Sequence, residues 1–216
     1  MIDEKIKIIC VLRSGGDYTP EYVQNMKKSL DRVIGYRDDW TFTCFTDLDF
    51  FSCPDTEIIP IHKRLEGWWS KLEIFRLTGP CLYFDLDTVF LSDFSHLFKT
   101  ILELKSFEFL ALQPFRSAEI WASGIMVWNG DWHQLFSKFR NPDLIVQWDQ
   151  RYIFPKLEEL GATIRAIQGY LTGVYSYKHH CREQVPEDAK IVCFHGRPRP
   201  HQVAWINWVK KCWSNI

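Results

Sequence analysis

Asp85 and Asp87 are two carboxylates separated by one residue, directly after the apolar and aromatic run Cys81–Phe84. Such a run is typical of a buried strand. Because alternate side chains of an extended chain share a face, we expect both carboxylates to project together and Leu86 to point inward. Ligands collect at the carboxyl ends of strands in open α/β sheets, and paired carboxylates suit Mg²⁺ or Mn²⁺. The stretch predicts a divalent-cation site, and we hypothesise that the cation carries a diphosphate.

The pair of aspartates has two other interpretations. It is also typical of a polar strand end whose carboxylates cap a turn or the next helix. In addition, the run Asp85–Val89 is similar to the nucleophile motif of haloacid-dehalogenase-type phosphatases, in which the first Asp attacks phosphorus. Those phosphatases normally carry the nucleophile on the first strand, whereas Asp85 follows several predicted strands. Asp131 after Gly130 also lacks a second acid one helical turn later, where Leu135 stands.

Composition limits the class of protein. The chain has 216 residues, of which 46% are hydrophobic and 25% charged, enough for one sizeable core. Its apolar runs stay short of the roughly 20 residues that cross a bilayer. Residues 1–5 lack the basic and apolar regions of a secretion signal, so we expect a cytoplasmic protein. The seven cysteines include no Cys-x-x-Cys pair, and the net charge of −1 disfavours non-specific nucleic-acid binding.

The first half of the chain alternates predicted strands and helices. Thr19, Pro20 and Gly35 mark the beginning and end of an amphipathic helix, and a further helix is predicted over Gly67–Leu77. No dinucleotide fingerprint or P-loop is present. The alternation predicts an α/β fold with a mixed, mostly parallel central sheet flanked by helices. The predicted strands are Lys7–Leu12, Thr41–Phe45, Glu57–Ile61 and Cys81–Phe84.

The second half is less regular. We predict a strand over Ile120–Asn129 that is interrupted at Ser123-Gly124, as where a backbone lies close to a ligand. A helix over Asp143–Phe154 contains Asp149 and Gln150. The strand Lys190–Phe194 ends in the sequence His-Gly-Arg-Pro-Arg-Pro-His, and Trp205, Trp208, Val209 and Trp213 predict a closing amphipathic helix.

The order of these motifs resembles that of the family 8-type glycosyltransferases of the GT-A fold, over nearly the whole chain. The similarity is strongest to a compact bacterial and bacteriophage branch. It implies a single Rossmann-like domain, with a nucleotide-binding half over residues 1–88 and a sugar and acceptor half over 89–216. A phage-encoded member would act in the host cytoplasm. The motifs that carry the resemblance are Trp-Trp-Ser-Lys ending at Lys71, the Asp-x-Asp pair, Ser123–Trp128, Asp149-Gln150, Ser-Tyr-Lys ending at Lys178, and His195-Gly196.

The resemblance also implies roles for individual residues. Asp85, Asp87 and His195 would bind Mn²⁺, or Mg²⁺, on a nucleotide-sugar diphosphate. Asp149 and Gln150 would lie beside the reacting carbon of the sugar and act as the catalytic pair. The implied transfer is from a UDP-sugar with retention of configuration. The residues predicted to contact the donor are Arg13, Asp47, Lys71, Asp85, Ser123, Gly124, Gly196, Arg197 and Arg199.

Two departures from the family pattern leave alternatives open. The late family motif is compressed here, so either Arg197 or Arg199 is the phosphate clamp. Ser123-Gly124 replaces the usual small-residue pair, so the sugar is not carried over. The acceptor is a saccharide or glycan, or a hydroxymethylated base of phage DNA facing the basic run 197–201 with Lys210 and Lys211. A non-catalytic nucleotide-sugar-binding module is the remaining alternative.

Overall fold

The computed structural model describes residues 4–62, 65, 67–116, 120–140 and 148–214. Ten strands and the helices between them lie along these ranges. The strands are β1 (Ile6–Leu12), β2 (Trp40–Thr46), β3 (Thr56–Pro60), β4 (Gly79–Phe84), β5 (Thr88–Phe90), β6 (Glu108–Leu112), β7 (Ala122–Gly130), β8 (Thr163–Ala166), β9 (Val174–Ser176) and β10 (Ile191–Cys193). The α-helices are α1 (Pro20–Ile34), α2 (Leu97–Glu103), α3 (Gln134–Ser137), α4 (Gln150–Glu159), α5 (Tyr177–His180) and α6 (Asn207–Val209). Among the described residues, β2 and β3, β4 and β5, and β6 and β7 follow each other without an intervening helix.

Seven strands form the central sheet in the order β3-β2-β1-β4-β7-β6-β8. The pairs β3-β2, β2-β1, β1-β4 and β6-β8 are parallel, whereas β7 is antiparallel to both β4 and β6. The predicted mixed, mostly parallel sheet flanked by helices is therefore confirmed. A second sheet of β5, β10 and β9, which the sequence pattern did not indicate, lies beyond the carboxyl end of β4.

Alternate residues of β4 fill two cores on opposite faces of the sheet. Leu82 and Phe84 pack with α1, α2 and the second sheet. Cys81 and Tyr83 pack instead with α3, α4 and the 3₁₀ helix Gly67–Arg76. This period-2 division is what a strand buried on both faces requires. It makes β4 the central element from which the chain leaves towards Asp85.

Helix α1 follows the capping pattern of its sequence. Thr19 occupies the N-cap position, Pro20 begins the helix, and Gly35 ends it with φ 77°. Its buried apolar face is formed by Tyr22, Val23, Met26, Leu30 and Ile34. Burial of such side chains contributes about 1.5–3 kcal/mol each, so packing rather than capping stabilises this helix. Within the described ranges, every helix is too short or too polar to cross a lipid bilayer.

Two helices predicted in the second half of the chain have different bounds in the structure. Helix α4 begins at Gln150 and continues through Pro155 to Glu159, whereas the prediction began at Asp143; residues 143–147 lie outside the described residues. The closing helix is reduced to the single turn α6, followed by a π-helical turn, Lys210–Ser214. Trp205 is 80% exposed and lies before α6, so only part of the predicted apolar face packs on the core.

Gly173 connects the second sheet to the preceding loop at a position that tolerates no side chain. Its φ is 80°, and an added Cβ would lie 2.3 Å from the carbonyl oxygen of Asp188. Gly161 has a similar φ of 87° but open space around it. We expect Gly173→Ala to lower the free energy of unfolding by about 3 kcal/mol through combined backbone strain and overpacking. Gly161→Ala should lower it by only about 1 kcal/mol, the conformational part alone. Urea unfolding of both variants measures the difference, and equal losses would contradict the steric argument.

Candidate functional site

Three side chains from three separate segments meet around the ammonium group of Lys71. Its Nζ lies 2.9 Å from Asp85 Oδ1, 2.9 Å from Asp149 Oδ2 and 2.9 Å from Ser123 Oγ. The hydroxyl of Ser123 in turn donates to Asp149 Oδ2 at 2.7 Å. Lys71, Ser123 and Asp149 are buried, and only Asp85 is partly exposed. We call these four residues the lysine cluster; it lies at the carboxyl end of β4.

The β4 strand and its neighbour β7 fix the position of Asp85 within this cluster. The Asp85 N–H donates to the carbonyl of Gly124 at 2.9 Å, which continues the β4-β7 pairing beyond Phe84. The hydroxyl of Tyr83, two residues earlier and on the same face, donates to Asp85 Oδ1 at 2.6 Å. A Cβ at Gly124 would stand 3.4 Å from Asp85 Oδ2. A larger residue at 124 would therefore contact the second carboxylate oxygen.

Burial and charge act in opposite directions on the two ionised partners. Burial alone would lower the pKa of Lys71, but the carboxylates of Asp149 and Asp85 outweigh it and raise that pKa above its ordinary value. Burial raises the pKa of Asp85, while the charge of Lys71 opposes the rise. Lys71 is consequently a fixed positive charge at neutral pH. The Lys71 ammonium donates its hydrogen bonds to protein oxygens. Contact of Lys71 with a nucleotide-sugar donor stays a prediction.

Asp149 stands at the N-cap position of α4 but does not cap the helix with its side chain. Its carbonyl accepts from the N–H of Ile153 at 2.8 Å, whereas its carboxylate is directed to Lys71 and Ser123. The carboxylate therefore binds to the lysine cluster and not to the backbone N–H groups at the helix end. Gln150 is the first residue of α4 and is half-buried beside it.

Asp87 belongs to a second group of side chains. Residues 85–87 form a turn closed by the Thr88 N–H donating to the Asp85 carbonyl at 3.1 Å, so the extended geometry expected for the Asp-x-Asp stretch is not kept. Asp87 is 3% exposed and its Oδ2 is ion-paired with the guanidinium of Arg199. The Gly196 N–H approaches the same oxygen at 3.4 Å. Leu86 is buried, as expected.

His195 follows β10 in a left-handed conformation, with φ 38°. Its Nε2 lies 2.6 Å from the hydroxyl of Ser176, and its carbonyl accepts from Lys178 Nζ at 3.0 Å. Desolvation by its neighbours, together with the charge of Lys178, lowers the pKa of His195 to about 4, although part of the residue faces solvent. The imidazole is therefore neutral at pH 7, the form that binds metal ions.

Arg13 and Asp47 form a third group, at the carboxyl ends of β1 and β2. Arg13 is ion-paired with Asp47, which also accepts hydrogen bonds from the backbone and hydroxyl of Ser14, the backbone one at 2.7 Å. Arg197 is 72% exposed and pairs with Asp17 at 3.1 Å. These residues lie in groups different from the lysine cluster, and their contact with a donor also stays a prediction.

The chemistry of Asp85, Asp87 and His195 fits a divalent cation, since carboxylate oxygens and a neutral imidazole are ligands that Mn²⁺ accepts. The arrangement of these three residues, however, is not that of a metal site. Across the parts of the chain that the structure describes, no three His, Cys, Asp or Glu side chains are grouped as a metal site. Asp85 Oδ1 is directed to Lys71, Asp87 Oδ2 to Arg199 and His195 Nε2 to Ser176. Binding of a cation by these three residues would require an exchange of partners.

Comparison with solved structures identifies proteins of similar architecture. The glycosyltransferase GlyE of Streptococcus pneumoniae TIGR4 superposes with a TM-score of 0.61 at 15% identity, and its apo form with 0.62 at 13%. The bifunctional glycosyltransferase WbbM, in its apo structure, gives 0.57 at 11%. The chain has a glycosyltransferase fold. No family model and no curated protein sequence matches it.

The superpositions cover most of this chain but only part of the others. They include 96% of the chain and 63% of GlyE, and 92% of the chain and 47% of WbbM. The chain therefore spans less than two thirds of the length of each. At these identities the similarity establishes the architecture, and activity has to be argued from the site.

Three residues of the site were not predicted from the sequence. Tyr83 was placed in the apolar strand, yet its hydroxyl is bonded to Asp85, and its position two residues before Asp85 is a signal that could have found it. Asp17 and Tyr18 follow β1 and contact Arg199, the first through an ion pair at 3.4 Å and the second through its ring at 4.7 Å. Those two contacts cross about 180 residues of sequence, and no local pattern predicts them.

Proposed function

We propose that the chain is a glycosyltransferase that moves a sugar from a nucleotide-sugar donor, UDP-linked, to a saccharide or glycan acceptor with retention of configuration. The lysine cluster carries the proposal. It brings a fixed cation and two carboxylates together at the carboxyl end of the central strand, where α/β sheets bind their ligands, in a fold shared with glycosyltransferases.

The proposed reaction expels a nucleoside diphosphate, whose negative charge grows as the bond to the sugar breaks. Lys71 is held at the strand end by two carboxylates, so the position of this cation is fixed before a donor binds. Arg199, rather than the exposed Arg197, is our candidate for the phosphate clamp, because it already lies at Asp87. Mn²⁺ or Mg²⁺, held by Asp85, Asp87 and His195, would supply Lewis-acid stabilisation of the departing phosphate.

Asp149 is the proposed catalytic carboxylate for the sugar itself. Lys71 and Ser123 hold it in a single buried position, which suits a group that orients a donor or stabilises an oxocarbenium-like sugar. Gln150, the next residue, is placed beside the same carbon in our proposal. Retention would follow if acceptor attack and phosphate departure occur on one face of the ring, with a leaving-group oxygen taking the acceptor's proton.

The alternatives are less well supported. In the phosphatase interpretation Asp85 is a free nucleophile, but here it is ion-paired with Lys71 and follows the fourth strand of the chain. A modified DNA base as acceptor would need a basic surface near the site. Arg197, Lys210 and Lys211 are exposed, whereas Arg199 points inward to Asp87. Gel-shift titration with hydroxymethylcytosine DNA tests this acceptor, since phosphate contacts predict strongly salt-dependent binding.

Calorimetric titration with UDP tests the proposal directly. We expect UDP to bind in the presence of Mn²⁺ and to bind at least tenfold more weakly after chelation, about 1.4 kcal/mol, because the cation would neutralise phosphate charge beside Asp85 and Asp87. A screen of UDP-sugars for UDP release then identifies the donor and separates a transferase from a silent binding module. Equal UDP affinity with and without Mn²⁺ would count against metal dependence, and no binding under either condition would reject the proposal.

A further inference from the structure

One oxygen of the Asp87 carboxylate, Oδ2, is held by the segment of the chain that follows β10. Arg199 reaches it with its guanidinium, and the backbone N–H of Gly196 lies 3.4 Å from the same oxygen, Oδ2. The Phe194 N–H also donates to the Asp87 carbonyl at 3.2 Å. One short segment after β10 therefore holds Asp87 through both its side chain and its backbone.

Arg199 has two further partners besides Asp87, namely Asp17 and Tyr18, and the side chain of Tyr18 is itself hydrogen-bonded to Asp87. Its Nε lies 3.4 Å from Asp17 Oδ2, and its guanidinium stacks over the ring of Tyr18 with a 4.7 Å separation from the ring centre. Only 18% of the Arg199 side chain is exposed. We call Asp17 and Tyr18 the arginine seat. An arginine supported in this way can give up one carboxylate and still have a charge partner and a packing surface.

The guanidinium of Arg199 and the proposed divalent metal ion compete for one carboxylate, that of Asp87. A buried carboxylate such as Asp87 requires a compensating positive charge, and Arg199 supplies it. A divalent ion at Asp87 would supply that charge instead and would repel the guanidinium from the same oxygen. A bound diphosphate would offer Arg199 a new anionic partner of the kind that a guanidinium fork prefers.

We infer that the guanidinium of Arg199 takes the place of the metal ion at the Asp87 carboxylate. When the nucleotide-sugar donor and the cation bind, Arg199 leaves this carboxylate and binds a phosphate oxygen of the donor. The arginine seat keeps the Arg199 side chain in place during this exchange. The inference rests on the proposed function and deepens it. It explains why the described residues show suitable metal-ligand types but no assembled metal site. It also predicts that free metal binds weakly until a nucleotide accompanies it.

The test measures binding of Mn²⁺ alone and of UDP separately, without any activity assay. Free Mn²⁺ is followed by its electron paramagnetic resonance signal in the absence of nucleotide, and UDP binding by calorimetry at saturating Mn²⁺. We expect Arg199→Gln to bind Mn²⁺ about tenfold more tightly and UDP about tenfold more weakly than the wild-type protein, the size of one charge-assisted hydrogen bond. A residue with a merely structural role would weaken both.

Matched variants separate competition from general charge effects. Arg37→Gln breaks another arginine–aspartate pair, with Asp39, on the exposed surface, and should leave both affinities unchanged. Arg199→Lys keeps the charge without the planar fork and should lie between the wild-type protein and Arg199→Gln, which covers the case in which the Gln variant folds poorly.

The outcomes for the inference and for the proposed function are distinct. Unchanged or weaker Mn²⁺ binding by Arg199→Gln, in a wild-type protein that binds UDP with Mn²⁺, overturns the exchange at Asp87 and leaves the transferase proposal intact. Binding of neither Mn²⁺ nor UDP by any variant overturns both. Tighter Mn²⁺ binding together with weaker UDP binding in Arg199→Gln, but not in Arg37→Gln, supports the exchange.

Discussion

We expect Asp85→Asn to lower the rate of sugar transfer by about 10²- to 10³-fold, the effect of removing one preorganised electrostatic group from an active site. The substitution keeps the shape of the side chain but removes its negative charge. Asp85 has two roles that depend on that charge: it is an ion-pair partner of Lys71, and in our proposal it is a ligand of the divalent cation. UDP release from the donor identified in the screen, with Mn²⁺ present, measures the loss.

Asp131→Asn is the matched control for this experiment. Asp131 is exposed, and its carboxylate accepts only a local hydrogen bond, from the His133 N–H at 2.8 Å, among the bonds that the structure gives it. It follows Gly130, which pairs with Gly79 at the opposite end of β4 from Asp85. The control should retain wild-type turnover. If Asp85→Asn also retains turnover within about twofold, while thermal unfolding shows an intact fold, Asp85 neither binds the cation nor positions Lys71 for catalysis.

Much of the fold followed from local patterns in the sequence. The run Cys81–Phe84 was predicted as a buried strand, and it lies at the centre of the sheet because its side chains are apolar on both faces. Thr19, Pro20 and Gly35 predicted the bounds of α1 because each has a specific backbone preference at a helix end. The second sheet was not predicted, since β5, β9 and β10 have three residues each and pair across 17 to about 100 positions.

The candidate site could be predicted as a set of residues but not as an arrangement. Lys71, Asp85, Ser123 and Asp149 were all assigned from sequence, and the structure brings them together. Their mutual pairing depends on how β4, β7 and α4 pack, which short sequence windows do not encode. The alternation rule placed Asp85 and Asp87 on one face, but the chain turns after Phe84, and the two carboxylates have different cationic partners.

Asp149 illustrates why a cap pattern is ambiguous in sequence. An acidic residue directly before a helix normally caps it. Here Lys71 offers the carboxylate a full positive charge in a buried setting, which is a stronger partner than the backbone N–H groups of α4. The choice between cap and cluster was therefore decided by a residue 78 positions away, since Asp149 follows Lys71 by that number.

Lys71→Met should be the most destabilising single substitution in the site. We expect it to lower the free energy of unfolding by about 3–5 kcal/mol, because it leaves the buried carboxylate of Asp149 and the partly buried one of Asp85 without their shared cation. Methionine fills much of the volume of the lysine stem, so the loss reports charge rather than a cavity. Guanidinium or urea unfolding measures it directly.

Lys99→Met and a double variant make this prediction decisive. Lys99 pairs with Glu103 on the surface, where both side chains are mostly exposed, and its loss should change stability by less than about 1 kcal/mol. Adding Asp149→Asn to Lys71→Met removes one of the stranded charges and should recover part of the lost stability, giving a coupling energy of about 1–3 kcal/mol. Without such coupling, the 2.9 Å contact between Lys71 and Asp149 would contribute nothing to stability. The lysine cluster could then not hold a catalytic carboxylate in place.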